Sequence, residues 1–180
     1  MKSNSLLNKP APSFDEPIEM LRACHERIAA RCATLGKLAA HLPLHGADTQ
    51  AQQAARNIMH YFDTAGPNHH ADEEQDLFPM LTEISQRQCS PVGEQITSLS
   101  GEHRSLEASW AGLRAVLADI AQGRASLLEP DWVDNFVGTY LSHIALEESQ
   151  IFPFAEAYLD RQQLARLSAA MVARRTITQQ

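Results

Sequence analysis

Cysteine is scarce in this chain: Cys24, Cys32 and Cys89 are odd in number and show no Cys-x-x-Cys spacing. That argues against a disulfide framework and a structural zinc site, and leaves reduced thiols, with Cys32 packing as a small hydrophobe. Basic blocks are missing too. Fifteen Lys and Arg stand against 22 Asp and Glu, net charge -7, with nothing to track a phosphate backbone, so nucleic acid is not an expected partner. No apolar run approaches the roughly 20 residues that span a bilayer. Residues 1–13 lack the apolar core of a signal peptide. The expectation is a soluble, cytoplasmic protein with no membrane partner. At 180 residues the chain suits one well-buried domain rather than two.

What is present is a motif that occurs twice. His69-His70-Ala71-Asp72-Glu73-Glu74-Gln75-Asp76-Leu77-Phe78-Pro79 returns 74 residues later as His143-Ile144-Ala145-Leu146-Glu147-Glu148-Ser149-Gln150-Ile151-Phe152-Pro153. Residues four apart stack on one helical face, so His69 lies over Glu73 and His143 over Glu147.

Around this repeat the apolar periodicity is helical. After a polar arm over residues 1–13, Ser13 and Glu16 offer a capping box and Pro17 a first turn. A seam then runs Ile18, Leu21, His25, Ile28, Cys32, Leu35, Ala39, Leu42, a long helix expected to be ended by Pro43 and Gly46. A second helix opens near Asp48, follows Ala51, Ala55, Ile58, Phe62 and Ala65, kinks at Gly66-Pro67 and is expected to end at Phe78-Pro79, with a short turn at 80–87. From Ser90-Pro91 the seam Ile96, Leu99, His103, Leu106, Trp110, Leu113, Leu117, Ile120 runs to Gly123, with His103 in the place His25 holds. The fourth helix starts at Glu129-Pro130 with Trp132, Phe136, Tyr140 or Thr139, His143 and Glu147 inward, and Pro153 marks its end or a kink. Trp110 and Trp132 read as core. A last helix over Asp160–Arg174, with Leu164, Leu167 and Met171 on one side, covers the bundle end or makes an oligomer contact.

Two helix pairs thus each supply a lone seam histidine followed by His-x-x-x-Glu: His25, His69 and Glu73, then His103, His143 and Glu147. Inward imidazoles and carboxylates from four helices are how bundles hold paired metals, and buried carboxylates need a cation to offset their desolvation. Nitrogen with oxygen donors suits iron, manganese or zinc. A dinuclear site bridged by Glu73 and Glu147 follows as an expectation. Glu107, one turn beyond His103 where the first half has Ala29, is a candidate extra ligand or a solvated side chain. Glu74 and Glu148 lie about 100° around the helix and read as supporting or solvated groups. His70 substitutes for His69 if the Pro67 kink shifts the helical phase. His41, His45 and His60 have no carboxylate at ligand spacing and read as surface residues.

The ordered set His25, His69-His70-x-x-Glu73-Glu74, Glu102-His103 and His143-x-x-x-Glu147-Glu148 resembles the haemerythrin-like, or HHE cation-binding, family over roughly residues 14–155. The resemblance implies an all-α, up-down four-helix bundle, here over residues 14–159 with an additional C-terminal helix and tail over 160–180. It implies two iron ions, oxo- or hydroxo-bridged, with manganese or zinc as lesser alternatives: His25 and His69 on one, His103 and His143 on the other. The implied partner is dioxygen or another small diatomic or oxidant, bound or sensed. Haemerythrins proper carry a fifth histidine where this chain has Glu107, a departure that argues against simple reversible oxygen carriage. Two other readings stay open: a stress-defence enzyme acting on peroxide or nitric oxide, or donating iron for repair, and an iron-handling or partner-binding protein with a structural metal. A homo-oligomer through the C-terminal helix is a further expectation.

Overall fold

The computed structural model describes residues 13–125 and 127–177, so the arm expected over 1–13 lies outside the described residues except for Ser13. Among the described residues every regular element is helical. Helix α1 is Pro17–His45 and α2 is Thr49–Ala71; α2 runs without a break through a π-helical turn, π1 (Asp72–Leu77), into α3 (Phe78–Gln88). Helix α4 is Val92–Ala121. Helix α5 (Pro130–Leu146) likewise passes through π2 (Glu147–Ile151) into α6 (Phe152–Tyr158), and α7 is Arg161–Ile177. Short connections set neighbouring rods antiparallel. Helix α1 packs on α2 and α5, and α4 packs on the same two, which closes a four-helix ring.

The ends of these helices follow local chemistry. Pro17 occupies the first turn of α1, but no side chain caps Glu16. Ser13 instead accepts from Asp15 N through Oγ and from Glu16 N through its carbonyl, a turn in place of the expected capping box. Pro43 stays inside α1, which stops at Gly46, whose φ of 65° favours glycine. Asp48 caps α2 by accepting from Ala51 N at 2.8 Å. Pro67 lies within α2, so the helix survives the missing N–H as expected.

Phe78-Pro79 and Phe152-Pro153 do not end their helices. Phe78 N–H donates to the Glu73 carbonyl and Phe152 N–H to the Glu147 carbonyl, each five residues back. The next residue in both cases is proline, which has no N–H. A proline ring crowds the carbonyl four residues back and cannot bond to it, so the wide turn falls where the four-residue bond is already missing. Each wide turn inserts about one residue, or about 100° of phase, into its rod. His69 and Glu73 therefore face inward upstream, while Leu77, Phe78 and Leu81 still face inward downstream.

Two apolar clusters result. One gathers Ile28, Leu35, Ile58, Phe62, Leu113 and Phe136; the other gathers Leu21, Leu77, Phe78, Leu99, Phe152 and Met171. Each fully buried aliphatic or aromatic side chain contributes about 1.5–3 kcal/mol. The polar residues of the seams sit between these clusters in sequence: His25 between Leu21 and Ile28, His103 between Leu99 and Leu106. On α5 the inward place expected for Trp132 is taken by Val133, and Trp132 is half exposed beside Gly112. Trp110 is partly buried and donates to Asp63 Oδ1 at 3.1 Å. Helix α7 folds back onto α1, α2 and π1, burying Leu167 and Met171 against its own bundle. Its start is a reciprocal cap, with Gln163 N–H donating to Asp160 Oδ1 at 2.8 Å and Asp160 N–H to Gln163 Oε1 at 2.9 Å.

Candidate metal centre

Four rods deliver six polar side chains to one buried layer. His25 comes from α1, His69 from the last turn of α2, Glu73 from π1, His103 from α4, His143 from the last turn of α5 and Glu147 from π2. All six are at most 2 % exposed. They form two groups, His25, His69, Glu73, Glu147 and Glu73, His103, His143, Glu147, in each of which the donor atoms lie within 4.8 Å of one another. The carboxylates of Glu73 and Glu147 are common to both.

The contacts within the layer are close. His25 Nε2 is 3.0 Å from Glu147 Oε2, His69 Nε2 is 3.3 Å from Glu73 Oε1, His143 Nε2 is 3.2 Å from Glu147 Oε1, and His103 Nε2 is 3.5 Å from Glu73 Oε2. Yet His25 Nε2 and all four oxygens of Glu73 and Glu147 are buried without a hydrogen-bond partner of good geometry. Orphaned acceptors at such density are costly in a protein interior unless a cation satisfies them.

Three of the four histidines are fixed by glutamates at their far nitrogens. Glu148 accepts from His25 Nδ1 at 3.0 Å, Glu74 from His103 Nδ1 at 2.8 Å, and Glu102 from His143 Nδ1 at 3.0 Å. Donation of Nδ1–H to a carboxylate sets the tautomer and turns the Nε2 lone pair inward, the arrangement that supports metal-bound imidazole. Glu74 and Glu148 therefore act as the supporting groups their place beside the motif glutamates implied. The same role for Glu102 was not assigned from the sequence; its signal was its position just before His103. Among the described residues His69 Nδ1 has no hydrogen-bond partner.

Burial sets the charge states. It draws His69 well below the ordinary histidine value, helped by the neighbouring His25, and draws His103, beside His143, down to about 4. Both imidazoles are neutral at pH 7, the form that ligates. His143 is raised, because the carboxylates of Glu147 and Glu102 outweigh its burial. Burial and the adjacent Glu147 push Glu73 well above the usual carboxylate range, while for Glu147 the imidazoles of His143 and His25 overcome burial and pull it down.

The deciding contact is between two nitrogens. His103 Nε2 and His143 Nε2 stand 2.9 Å apart, each ring held by a glutamate, Glu74 or Glu102, at its Nδ1. Two nitrogens each about 2.1 Å from one ion at right angles stand about 3 Å apart, so the donor set fits a shared cation. Residues 16–155 match the profile of the hemerythrin HHE cation binding domain. The chain belongs to that family. A protein of Haemophilus influenzae, itself described only as uncharacterized, is 31% identical over 165 residues, 92% of this chain and 93% of its own length. Haemerythrin-like HHE domains bind metal cations, and this one has the buried histidine and glutamate set to do so.

Two further side chains of this HHE domain lie beside the layer without joining either group. His70 is buried, stacks on the His103 ring at 4.0 Å and meets Tyr140 OH through Nε2 at 3.2 Å. Its pKa falls to about 3, through burial first and then the neighbouring His103. Glu107, the candidate extra ligand, has a side chain 67% exposed and reaches only to 4.0 Å from His70 Nδ1. The structure leaves it outside both groups, because the ring of His70 takes up the space beside His103. A cleft of about 80 Å³ opens here, with Phe62, Leu106 and Trp110 as walls, His70 and Tyr140 inside and Glu107 at the rim. His60 and His45 are exposed, and His41 pairs with Asp48 at 3.1 Å, away from the layer. Burial raises the Cys24 thiol and pushes Cys32 up to about 12, which leaves both unreactive. Among the described residues no helix is long and apolar enough to cross a membrane.

Proposed function

We propose that the layer holds two iron ions and that the protein binds or senses dioxygen or a related small oxidant. His25 and His69 would serve one ion, His103 and His143 the other, and Glu73 and Glu147 both. The observation that carries this reading is the sharing of the same two carboxylates by two four-residue groups. Bridging anions lessen the repulsion between paired cations, and nitrogen with oxygen donors suits iron. Iron supplies electrons to an oxidant. The chain supplies an apolar enclosure, fixed imidazole orientations and six protein donors for two ions, which leaves room for a small ligand.

The test is elemental analysis of protein purified without chelator, paired with its absorption spectrum in air and after dithionite. Two irons per chain with a near-ultraviolet band that dithionite bleaches is the expected result. A single zinc, or no metal even after anaerobic Fe(II) reconstitution, overturns the reading.

A second reading, turnover of peroxide or nitric oxide, draws support from the cleft that brings Glu107, His70 and Tyr140 together beside His103. Catalytic decay of either oxidant by the iron-loaded protein, slowed in Tyr140→Phe at unchanged iron content, supports it. Consumption that stops at one equivalent per site counts against it.

A further inference from the structure

The two halves of the site are alike in ligands but not in what holds them. Asp72 stands immediately before Glu73 in π1 and is 0% exposed. Two arginines from the last turn of α7 close on it. Arg175 donates through Nη2 to Asp72 Oδ2 at 2.6 Å and through Nη1 to Oδ1 at 3.2 Å, and Arg174 Nη1 also contacts Oδ1. Arg174 Nη2 continues along the same turn to Asp76 Oδ2 at 2.7 Å and Gln75 Oε1 at 3.1 Å. Arg175 is itself steadied by donating to the Met171 carbonyl at 2.9 Å and by lying over the Phe14 ring at 5.4 Å. Two guanidinium groups thus meet two carboxylates, balanced in charge, on one six-residue turn.

The second turn lacks these handles. At the 74-residue offset, Asp72, Gln75 and Asp76 correspond to Leu146, Ser149 and Gln150, none of which is charged. The clamp therefore belongs to Glu73 alone and is no part of the internal repeat. π-Helical turns are rare and bond less regularly than the α-helix around them, so external contacts matter to where their side chains sit. Paired, two-pronged arginine contacts fix a carboxylate in direction as well as distance.

We propose that Arg174 and Arg175 are positioning residues of the metal centre: through Asp72 and Asp76, α7 sets the turn that presents Glu73 to both ions. This rests on reading the layer as a metal site. The last helix is then part of the centre's support as well as a cover for the bundle end.

The experiment uses the full chain loaded with iron(II) and follows metal release to an excess of chelator. The first variant is the double Asp72→Asn, Arg175→Gln, which removes both charges and leaves no buried ion unpaired. Release tenfold or more faster than wild type is expected. Hydrogen exchange should accelerate at residues 73–78 and stay unchanged at 147–152. Leu117→Ala, a substitution in the other apolar cluster, serves as the control for a general loss of stability and should leave release near the wild-type rate. Should the double variant not fold, Arg175→Lys, which keeps the charge and loses the two-pronged contact, decides the matter with an intermediate release rate. Release within twofold of wild type, or no faster than in Leu117→Ala, overturns the clamp while leaving the metal site standing. A wild-type protein that takes up no metal overturns both.

Discussion

Replacing Glu73 by glutamine should stabilise the metal-free protein and weaken the metal-loaded one. Glu73 is fully buried, its two oxygens have no hydrogen-bond partner, and Glu147 lies beside it, so burial and repulsion both disfavour its ionised form at pH 7. An ionised carboxylate in such a place costs several kcal/mol after relaxation, and a neutral amide in the same volume costs less. The amide also brings N–H groups that can donate to Glu147. Glutamine spares the protein either burying that charge or taking up a proton on folding, a cost of about 1–3 kcal/mol that the metal-free variant should gain. For a domain of this size the melting temperature should rise by about 2–4 °C per kcal/mol. With metal present the order reverses. The wild type gains about 4 kcal/mol at a free metal concentration a thousand times its Kd, whereas the variant, missing one of the two carboxylates common to both groups, gains much less. The assay is thermal and urea unfolding of both proteins in chelator and in excess Fe(II) under anaerobic conditions. Curves that do not cross, with Glu73→Gln less stable in chelator and equally stabilised by metal, would refute the argument that this carboxylate is held in the core for a cation.

Glu102→Gln leaves the His143 ring without its carboxylate at Nδ1, and metal affinity should fall about 10–100-fold in a chelator competition while the fold, followed by circular dichroism, is unchanged. The metal-free protein should lose stability on acidification between pH 6.5 and about 4: His69, His70 and His103 are all lowered in the folded state, so the unfolded chain binds more protons there, while Glu73, which is raised, and His143 oppose the trend. His70→Gln should flatten that slope by about 1.4 kcal/mol per pH unit, read from urea unfolding at pH 6 and pH 5. Leu35→Ala, at 0% exposure, should cost about 2–5 kcal/mol in urea unfolding, and Leu44→Ala, at 79%, less than about 0.5.

The bundle and its six inward histidines and glutamates were legible because helical periodicity is a direct record of burial. The seams of α1 and α4 each carry a histidine in the third place, and the same face that buries Leu21 and Ile28 has to bury His25. The π turns were not legible, since one residue of extra phase leaves no mark on composition. Proline after phenylalanine reads as a stop unless the five-residue bond before it is known. Val133 replaced Trp132 inward because rotation about a helix axis near its start is set by packing against α4, and pattern alone leaves it open by one residue. For Glu107 spacing alone left a ligand or a solvated side chain open, and the structure has it 67% exposed, 4.0 Å from His70 Nδ1. Glu102 and the arginines of α7 owe their roles to contacts between distant elements, which no local spacing encodes.

The supports of the histidines also cross between the halves. His25 is oriented by Glu148, 123 residues further on, and His103 by Glu74. During synthesis on the ribosome, the first half therefore emerges with His25, His69 and Glu73 but without Glu147 and Glu148, and has neither a complete donor group nor an oriented His25. A chain that stops short of Glu147 has no complete donor group in which to retain a metal ion. Capture of metal then requires that Glu147 and Glu148 have been made and that the whole bundle has closed.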